Sequence, residues 1–276
     1  MRFRLRAPLL AIVTIAAAAA CSGSRPALLA PDYEYEEDLT LSLDGSATLV
    51  VNTSTAALAA LHGIHLEGDL RSRADQLKSE VRSAYGSAYA DVTSVTVWTR
   101  HGRRFIGVRL RVPDITALSK APPFAWSTYE LRPELRPDGE LMIFRQTISG
   151  KGTPDPGAQW TGDELVAFRL HLPARIRFHN SRDLRTGGVR GIGRGNILTW
   201  EQTLRDRLAG KPIAWSEDHR PGVMEAHMDR ESILYRTLWL FGIAFAAAII
   251  VLAGLIWLTM RRGDATDAAE GTASRH

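Results

Sequence analysis

Apolar residues follow three patterns along this chain, and each predicts a different kind of element. The first is a continuous apolar run near the start: Arg2, Arg4 and Arg6 precede Leu9-Leu10-Ala11-Ile12-Val13-Thr14-Ile15, then five alanines and Cys21. A basic segment, an apolar segment and small residues before a cleavage point make a secretory signal, residues 1–20. The second is Thr237 to Met260, 24 residues without a charge, slightly more than the roughly 20 that cross a hydrocarbon core. Trp239 and Trp257 fall near its two ends, where indole rings favour the interface, and Arg261-Arg262 follow as a positive stop. The expected topology is an extracytoplasmic domain, a transmembrane helix over 237–260 and a cytoplasmic tail over 261–276. The alternative, a buried core helix, needs a soluble domain around every face.

The third pattern is alternation, and it fills the region between the two apolar runs. Tyr33 to Leu43 alternates apolar with acidic or hydroxyl positions, Asp44-Gly45 follows, and Ala47-Thr48-Leu49-Val50-Val51 resumes the strand pattern. That is a hairpin signature. Ser54 is placed to cap a short helix through Leu61, with Gly63 as its stop. Leu77, Val81 and Ala84 or Tyr85 repeat at helical spacing over 72–85. Two further hairpins are expected, Val92–Trp98 with Phe105–Val112 around Arg100-His101-Gly102-Arg103, and Trp126–Leu131 with Leu141–Ile148 around Pro137-Asp138-Gly139. Asp114 opens a helical turn that Pro122-Pro123 must soon end. After a Gly/Pro-rich break from Gly150 to Gly157, strands are predicted at 165–172, 176–179 and 196–203. Hairpins outnumber helices, so the fold class is α+β: an antiparallel sheet with two or three helices on one face, plus the C-terminal transmembrane helix. The domain is read over 33–203, with 204–236 as a juxtamembrane stalk or a final strand.

Charge changes the picture by where it lies. The chain is formally +4. Arg2, Arg4, Arg6, Arg236, Arg261, Arg262 and Arg275 lie outside 22–232 with only Asp264, Asp267 and Glu270, so they carry the whole excess and leave the exported region neutral. A nucleic-acid partner is therefore not expected, because the basic face such proteins need is missing from the domain's balance. Cys21 is the single cysteine, which excludes an intrachain disulfide. Ala18-Ala19-Ala20-Cys21 resembles a bacterial lipobox with Ala in place of the usual Leu. Acylation of Cys21 would make 21–32 a lipidated tether; ordinary cleavage beside an incidental cysteine is the alternative.

Phe168-Arg169-Leu170-His171-Leu172-Pro173-Ala174-Arg175, His179-Asn180, the Gly-rich loop and Gly195-Asn196-Ile197-Leu198-Thr199-Trp200, with the Leu43-Asp44-Gly45-Ser46-Ala47 hairpin, the early cysteine and the late span, carry a family resemblance. Over about residues 33 to 203 the chain resembles the LppM-like bacterial lipoprotein domain. The resemblance implies an envelope protein without known catalytic residues, with lipid or glycolipid binding suggested for the mycobacterial member.

No catalytic constellation is visible. His62 and His65 are the closest pair to a metal site, but Gly63 separates them and no cysteine or HExxH pattern supports them, so surface or capping roles fit better. His171 and His179 fall on predicted strands, no serine sits in a G-x-S-x-G elbow, and Gly191-Ile192-Gly193-Arg194-Gly195 lacks the βαβ unit of a nucleotide loop. No cofactor or metal is expected. The candidate ligand-binding residues are arginines: Arg103 and Arg104 beside one turn, and Arg182, Arg185, Arg190 and Arg194 in the Gly-rich loop. Guanidinium groups bind phosphate as a planar fork, and an anionic leaflet supplies phosphate; the bland alternative is a solvated loop pairing with Glu34, Glu36, Glu37 or Asp38. The expectation is a non-enzymatic, membrane-anchored envelope lipoprotein of the bacterial cytoplasmic membrane that binds anionic lipid or glycolipid headgroups, or else a protein-interaction subunit of an envelope assembly.

Overall fold

The computed structural model describes residues 33–66, 74–137, 139–149, 160–161 and 163–273. The stretches read as a signal segment and a tether, with Cys21, lie outside them. The α+β class is as expected, with the strands divided between two sheets. The first sheet contains β1 (Tyr33–Leu41), β2 (Ala47–Ser54), β3 (Asp91–Arg100), β4 (Arg103–Val112), β7 (Leu165–His171) and β9 (Ile197–Thr203), in the order β3-β4-β2-β1-β7-β9. The second contains β5 (Ser127–Arg136), β6 (Gly139–Ile148), β8 (Ala174–His179) and β10 (Val223–Ser232), in the order β5-β6-β10-β8. All neighbours are antiparallel except β1 and β7. Among the described residues four helices accompany them: α1 (Thr55–His62), α2 (Ala74–Tyr85), α3 (Leu204–Leu208) and α4 (Ile233–Ala273), with 3-10 turns at Ile115–Lys120 and Pro122–Phe124.

Local chemistry accounts for most of these boundaries. Asp44 Oδ1 accepts from the Ser46 amide at 2.9 Å and from its hydroxyl at 2.7 Å, while Gly45 takes φ 86°, closing the β1–β2 turn. Ser54 Oγ accepts from the Ala57 amide at 3.0 Å, and Gly63, at φ 65°, returns its amide to Ala59 O. On β1 the positions Tyr35, Glu37, Leu39 and Leu41 face inward. They meet Leu49, Val51, Val108, Leu110, Phe168, Leu170, Leu198 and Trp200 from the first sheet and Tyr129, Phe144, Met224, Ala226 and Met228 from the second, in one shared core. Each of the large apolar side chains contributes roughly 1.5–3 kcal/mol by leaving water.

The segment after Thr203 departs from the stalk reading. It begins with α3 and then, as β10, lies between β6 and β8 as an interior strand, so the folded domain runs on to Ser232. Met224, Ala226 and Met228 enter the core while Glu225, His227 and Asp229 face the other side, also buried. The strand tolerates those charged positions because Arg145 and Arg177 neutralise Glu225 and Asp229.

β10 continues into α4 without a linker, and the Ile233 amide donates to Pro173 O at 3.1 Å. Thr237–Trp257 is long and apolar enough to cross a membrane, and none of it is buried in the protein. Its 21 residues amount to about 32 Å of helix, matching a hydrocarbon core of about 30 Å. This attachment gives both sheets a helix end and a far end. Leu41, Ala47, Val112, His171 and Ile197 lie at the helix end of the first sheet, and Ser54, Arg103, Leu165 and Thr203 at the far end.

Candidate functional site

A polar cleft of about 510 Å³ lies at the far end of the second sheet. One wall is the end of β8 and the chain after it, His179, Ser181 and Arg182; the other is the turn bearing Trp215, Ser216, Glu217 and His219. Asn180 ties the walls together. Its Nδ2 donates to Trp215 O at 2.9 Å and Val223 O at 2.7 Å, and its Oδ1 accepts from Trp200 Nε1 and from the Glu225 amide, both at 2.9 Å. The opposite turn is closed by a Trp215–Pro221 bridge and by Ser216, which bonds Asp218 and the Arg220 amide. His219 sits at φ 62°, a left-handed conformation that a non-glycine residue adopts at some cost.

Inside the cleft Ser181 Oγ lies 2.8 Å from His179 Nδ1, and burial lowers the pKa of His179, favouring the neutral ring. Arg182 gives one guanidinium bond to Gly187 O at 3.0 Å and is otherwise exposed, and Trp215 is 57% exposed at the mouth. The arrangement offers a cation, a hydroxyl and an aromatic face, which together suit an anionic group carried on an apolar or ring-shaped body.

Behind the Glu217 wall lies a buried charge cluster. Arg145 reaches Glu225 Oε1 with Nε at 2.8 Å and Nη2 at 2.7 Å, His227 Nε2 is 2.9 Å from the same oxygen, and the Glu217 amide donates to Oε2 at 2.8 Å. Burial alone would raise the Glu225 carboxyl, but these three partners outweigh it and hold the pKa below its ordinary value. Glu217, Glu225 and His227 present ligand atoms within 4.8 Å of one another. We assign no metal to them, because the Arg145 guanidinium already supplies the positive charge that a cation would bring.

The arginines expected to act together are divided between sites. Arg103 pairs with Glu34 at 2.7 Å and Glu164 at 3.5 Å and lies 4.9 Å from the Trp160 ring, at the far end of the first sheet. Arg104 is 8% exposed beside it, and both line a smaller hollow with Thr55, Ala56, Leu66 and Leu77. Arg190 bonds Glu201, which also accepts from the Tyr33 hydroxyl. Arg182 is in the cleft, Arg185 is exposed on the adjoining Asp183 turn, and Arg194 is exposed at the helix end next to Asn196, whose side chain bonds Leu172 O and Ala174 O. One arginine of the six therefore belongs to the cleft.

The histidines also separate. His62 is not a surface cap: it packs 5.1 Å from Tyr35 and 4.5 Å from Trp126, and burial pushes its pKa down to about 4, whereas His65 is exposed. His171 faces Asp38 at 2.9 Å on the outer side of the first sheet. Trp215, Ser216 and His219 carried no visible motif; the sole local signal was a tryptophan inside a run of turn residues ending in Pro221-Gly222.

No family model matches the chain, and no curated protein matches it. Among solved structures it is similar to the folded domain of the Mycobacterium tuberculosis LppM protein, determined by NMR, at 12% identity and a TM-score of 0.34, over 74% of this chain and 94% of that one. A likeness at this TM-score says nothing of what this chain binds.

Proposed function

We propose that the chain is a non-enzymatic, membrane-anchored binding module of a bacterial cell envelope, whose cleft takes the anionic headgroup of a lipid or glycolipid. The observation that carries this reading is the placement of Arg182, Ser181, His179 and Trp215 around one cleft, in a domain whose last strand runs straight into a helix of membrane-spanning length. A binding role fits Ser181 better than a catalytic one. Among the described residues no carboxylate is bonded to His179 to orient it as a base.

The test uses the full chain reconstituted in phosphatidylcholine nanodiscs and titrated with soluble glycerol phosphate and a sugar phosphate. Saturable binding is expected, weakened roughly 10- to 100-fold by Arg182→Ala, the loss of one charge-assisted bond of about 1.5–3 kcal/mol. Binding that is absent, or unchanged in the variant, would sink the headgroup reading.

A second reading, a protein-interaction subunit, is favoured by β3. It is the edge of its sheet, ten residues long without proline, and exposed at Thr93, Ser94, Thr96, Trp98 and Thr99. Such an edge is a template for an added strand. Crosslinking from Thr96→Cys in native membranes, with Cys21→Ser, should then capture a stoichiometric partner; recovery of none counts against it.

A further inference from the structure

We propose that the helix end of the domain rests on the bilayer through two loops flanking α4, with Leu135 and Ile192 in the interfacial layer and Arg175 and Arg194 on lipid phosphates. This surface is separate from the cleft. It rests on the reading that α4 spans a membrane.

Strand register places the loops. β10 pairs with β6 down to Asp229 opposite Leu141, and Arg230 bonds Glu140, so the β5–β6 tip reaches the level of Ser232, where the helix starts. Leu135 at that tip is 85% exposed, more than any large apolar side chain of α4 among the described residues. On the other side, Ser232 pairs with Ala174 and the Ile233 amide bonds Pro173 O. Asn196 clamps the start of β9 to the same turn through Leu172 O and Ala174 O. The loop just before it, Gly191-Ile192-Gly193-Arg194-Gly195, is exposed throughout, with Ile192 47% exposed.

Both loops are thus held at the height of the helix entry by backbone pairing. Neighbouring strands lie about 4.8 Å apart, so a β5–β6 tip two strands from β10 stands within about 10 Å of it. A spanning helix puts everything at that height against headgroups. An isolated exposed leucine or isoleucine is ordinary on a soluble surface, but here one stands on each side of the anchor. The charge agrees: Arg175 and Arg194 are exposed, and no carboxylate pairs with either among the described residues. Basic groups beside a span are drawn to an anionic leaflet. With this footing the six residues of β10 between Ser232, opposite Ala174, and Ala226, opposite His179, set the His179 wall of the cleft about 20 Å along the strand from the entry of α4. A headgroup in the cleft would then belong to a molecule reaching the domain from outside its own bilayer surface.

The experiment places a nitroxide at Leu135→Cys or Ile192→Cys in the full chain with Cys21→Ser, reconstituted in nanodiscs of phosphatidylcholine with phosphatidylglycerol. Accessibility to oxygen and to a water-soluble nickel chelate is compared with labels at Asp163→Cys, exposed at the far end of the first sheet, and Ile249→Cys, in α4. Labels at 135 and 192 should favour oxygen, between the two references, and Arg175→Ala with Arg194→Ala should shift the label at 192 toward water in anionic nanodiscs but not in pure phosphatidylcholine. If 135 and 192 match 163 while 249 stays in lipid, the footing is wrong and the span survives. If 249 is itself open to the chelate, span and footing fail together. A label at 192 indifferent to the double substitution would overturn the role of the arginines. None of these outcomes depends on ligand binding in the cleft.

Discussion

Replacing Glu37 by Gln removes a titration from the middle of the core and should change how stability depends on pH. The Glu37 side chain lies between the two sheets, 3% exposed, with Tyr35 Oη donating to one oxygen at 2.6 Å and Gln146 Nε2 to the other at 3.1 Å. Burial outweighs both bonds and pushes the carboxyl from 4.5 up to about 7. The native state therefore holds this proton more tightly than the unfolded chain. The stability it contributes is complete below pH 4.5 and is lost as pH rises through 7. At 1.36 kcal/mol per unit the loss is about 3 kcal/mol. The glutamine variant keeps one acceptor oxygen for the Tyr35 hydroxyl, presents an amide NH2 that Gln146 can meet by turning its own Oε1 toward it, and has no charge to bury. It should match the wild type near pH 4.5 and exceed it by about 3 kcal/mol at pH 8, or roughly 6–12 °C in Tm for a domain of this size. His62 works in the opposite direction: burial pushes it from 6.5 to about 4, so its contribution is present above 6.5 and lost as pH falls through 4. The two slopes oppose each other in the wild type between about pH 4.5 and 6.5, which makes the difference between wild type and variant the quantity to measure. Urea unfolding of the full chain in non-ionic micelles, followed by near-ultraviolet circular dichroism, provides it. A difference that stays constant from pH 4.5 to 8 would refute the reasoning.

Three further outcomes follow from single contacts. Asn180→Ala removes four hydrogen bonds that join the cleft walls; a loss of about 2–4 kcal/mol in urea unfolding is expected, and a loss below about 1 kcal/mol would mean that other contacts hold the cleft. Arg145→Ala leaves the fully buried Glu225 carboxylate without its guanidinium, at a cost of about 3–5 kcal/mol; the double variant with Glu225→Gln should recover part of it in a double-mutant cycle. Ser54→Ala removes the cap of α1 and should cost about 1 kcal/mol, with no effect on phosphate titration of the cleft.

What was legible in the sequence divides by range. The Asp44-Gly45 turn, the Ser54 cap and the Gly63 stop are contacts within a few residues, and each stands where the pattern put it. The parallel pairing of β1 with β7 joins residues more than a hundred positions apart and leaves no local trace. β10 was harder to see for a different reason: its alternation was present, but three of its non-core positions are charged or histidine and look like solvent-facing residues until Arg145 and Arg177 are found beside them. The cleft needed Asn180 to meet Trp215 and Val223, 35 and 43 residues away. The basic loops were visible as composition, but composition has no direction, and the strands carry Arg103 and Arg194 to opposite ends of the first sheet.

That separation bears on what the arginines do. A region formally neutral overall cannot attract a polyanion through its net field, so only local, unpaired charge can act on a partner. Arg103 and Arg190 are already committed to Glu34, Glu164 and Glu201, where they join β4 to β1 and β7, and the Gly-rich loop to β9. Removing either would expose or strand a carboxylate and reads as a loss of fold before it reads as a loss of binding. Arg182 and Arg185 at the cleft end and Arg175 with Arg194 at the helix end remain exposed, as do Arg109 and Arg111 along β4, so of the arginines in the two basic loops the exposed ones stand at the two ends of the strands. Salt should therefore weaken two separable interactions, one lost with Arg182→Ala and the other with Arg175→Ala and Arg194→Ala. A single salt-sensitive interaction abolished by either set would mean that the two ends serve one ligand long enough to run the six residues of β8, about 20 Å.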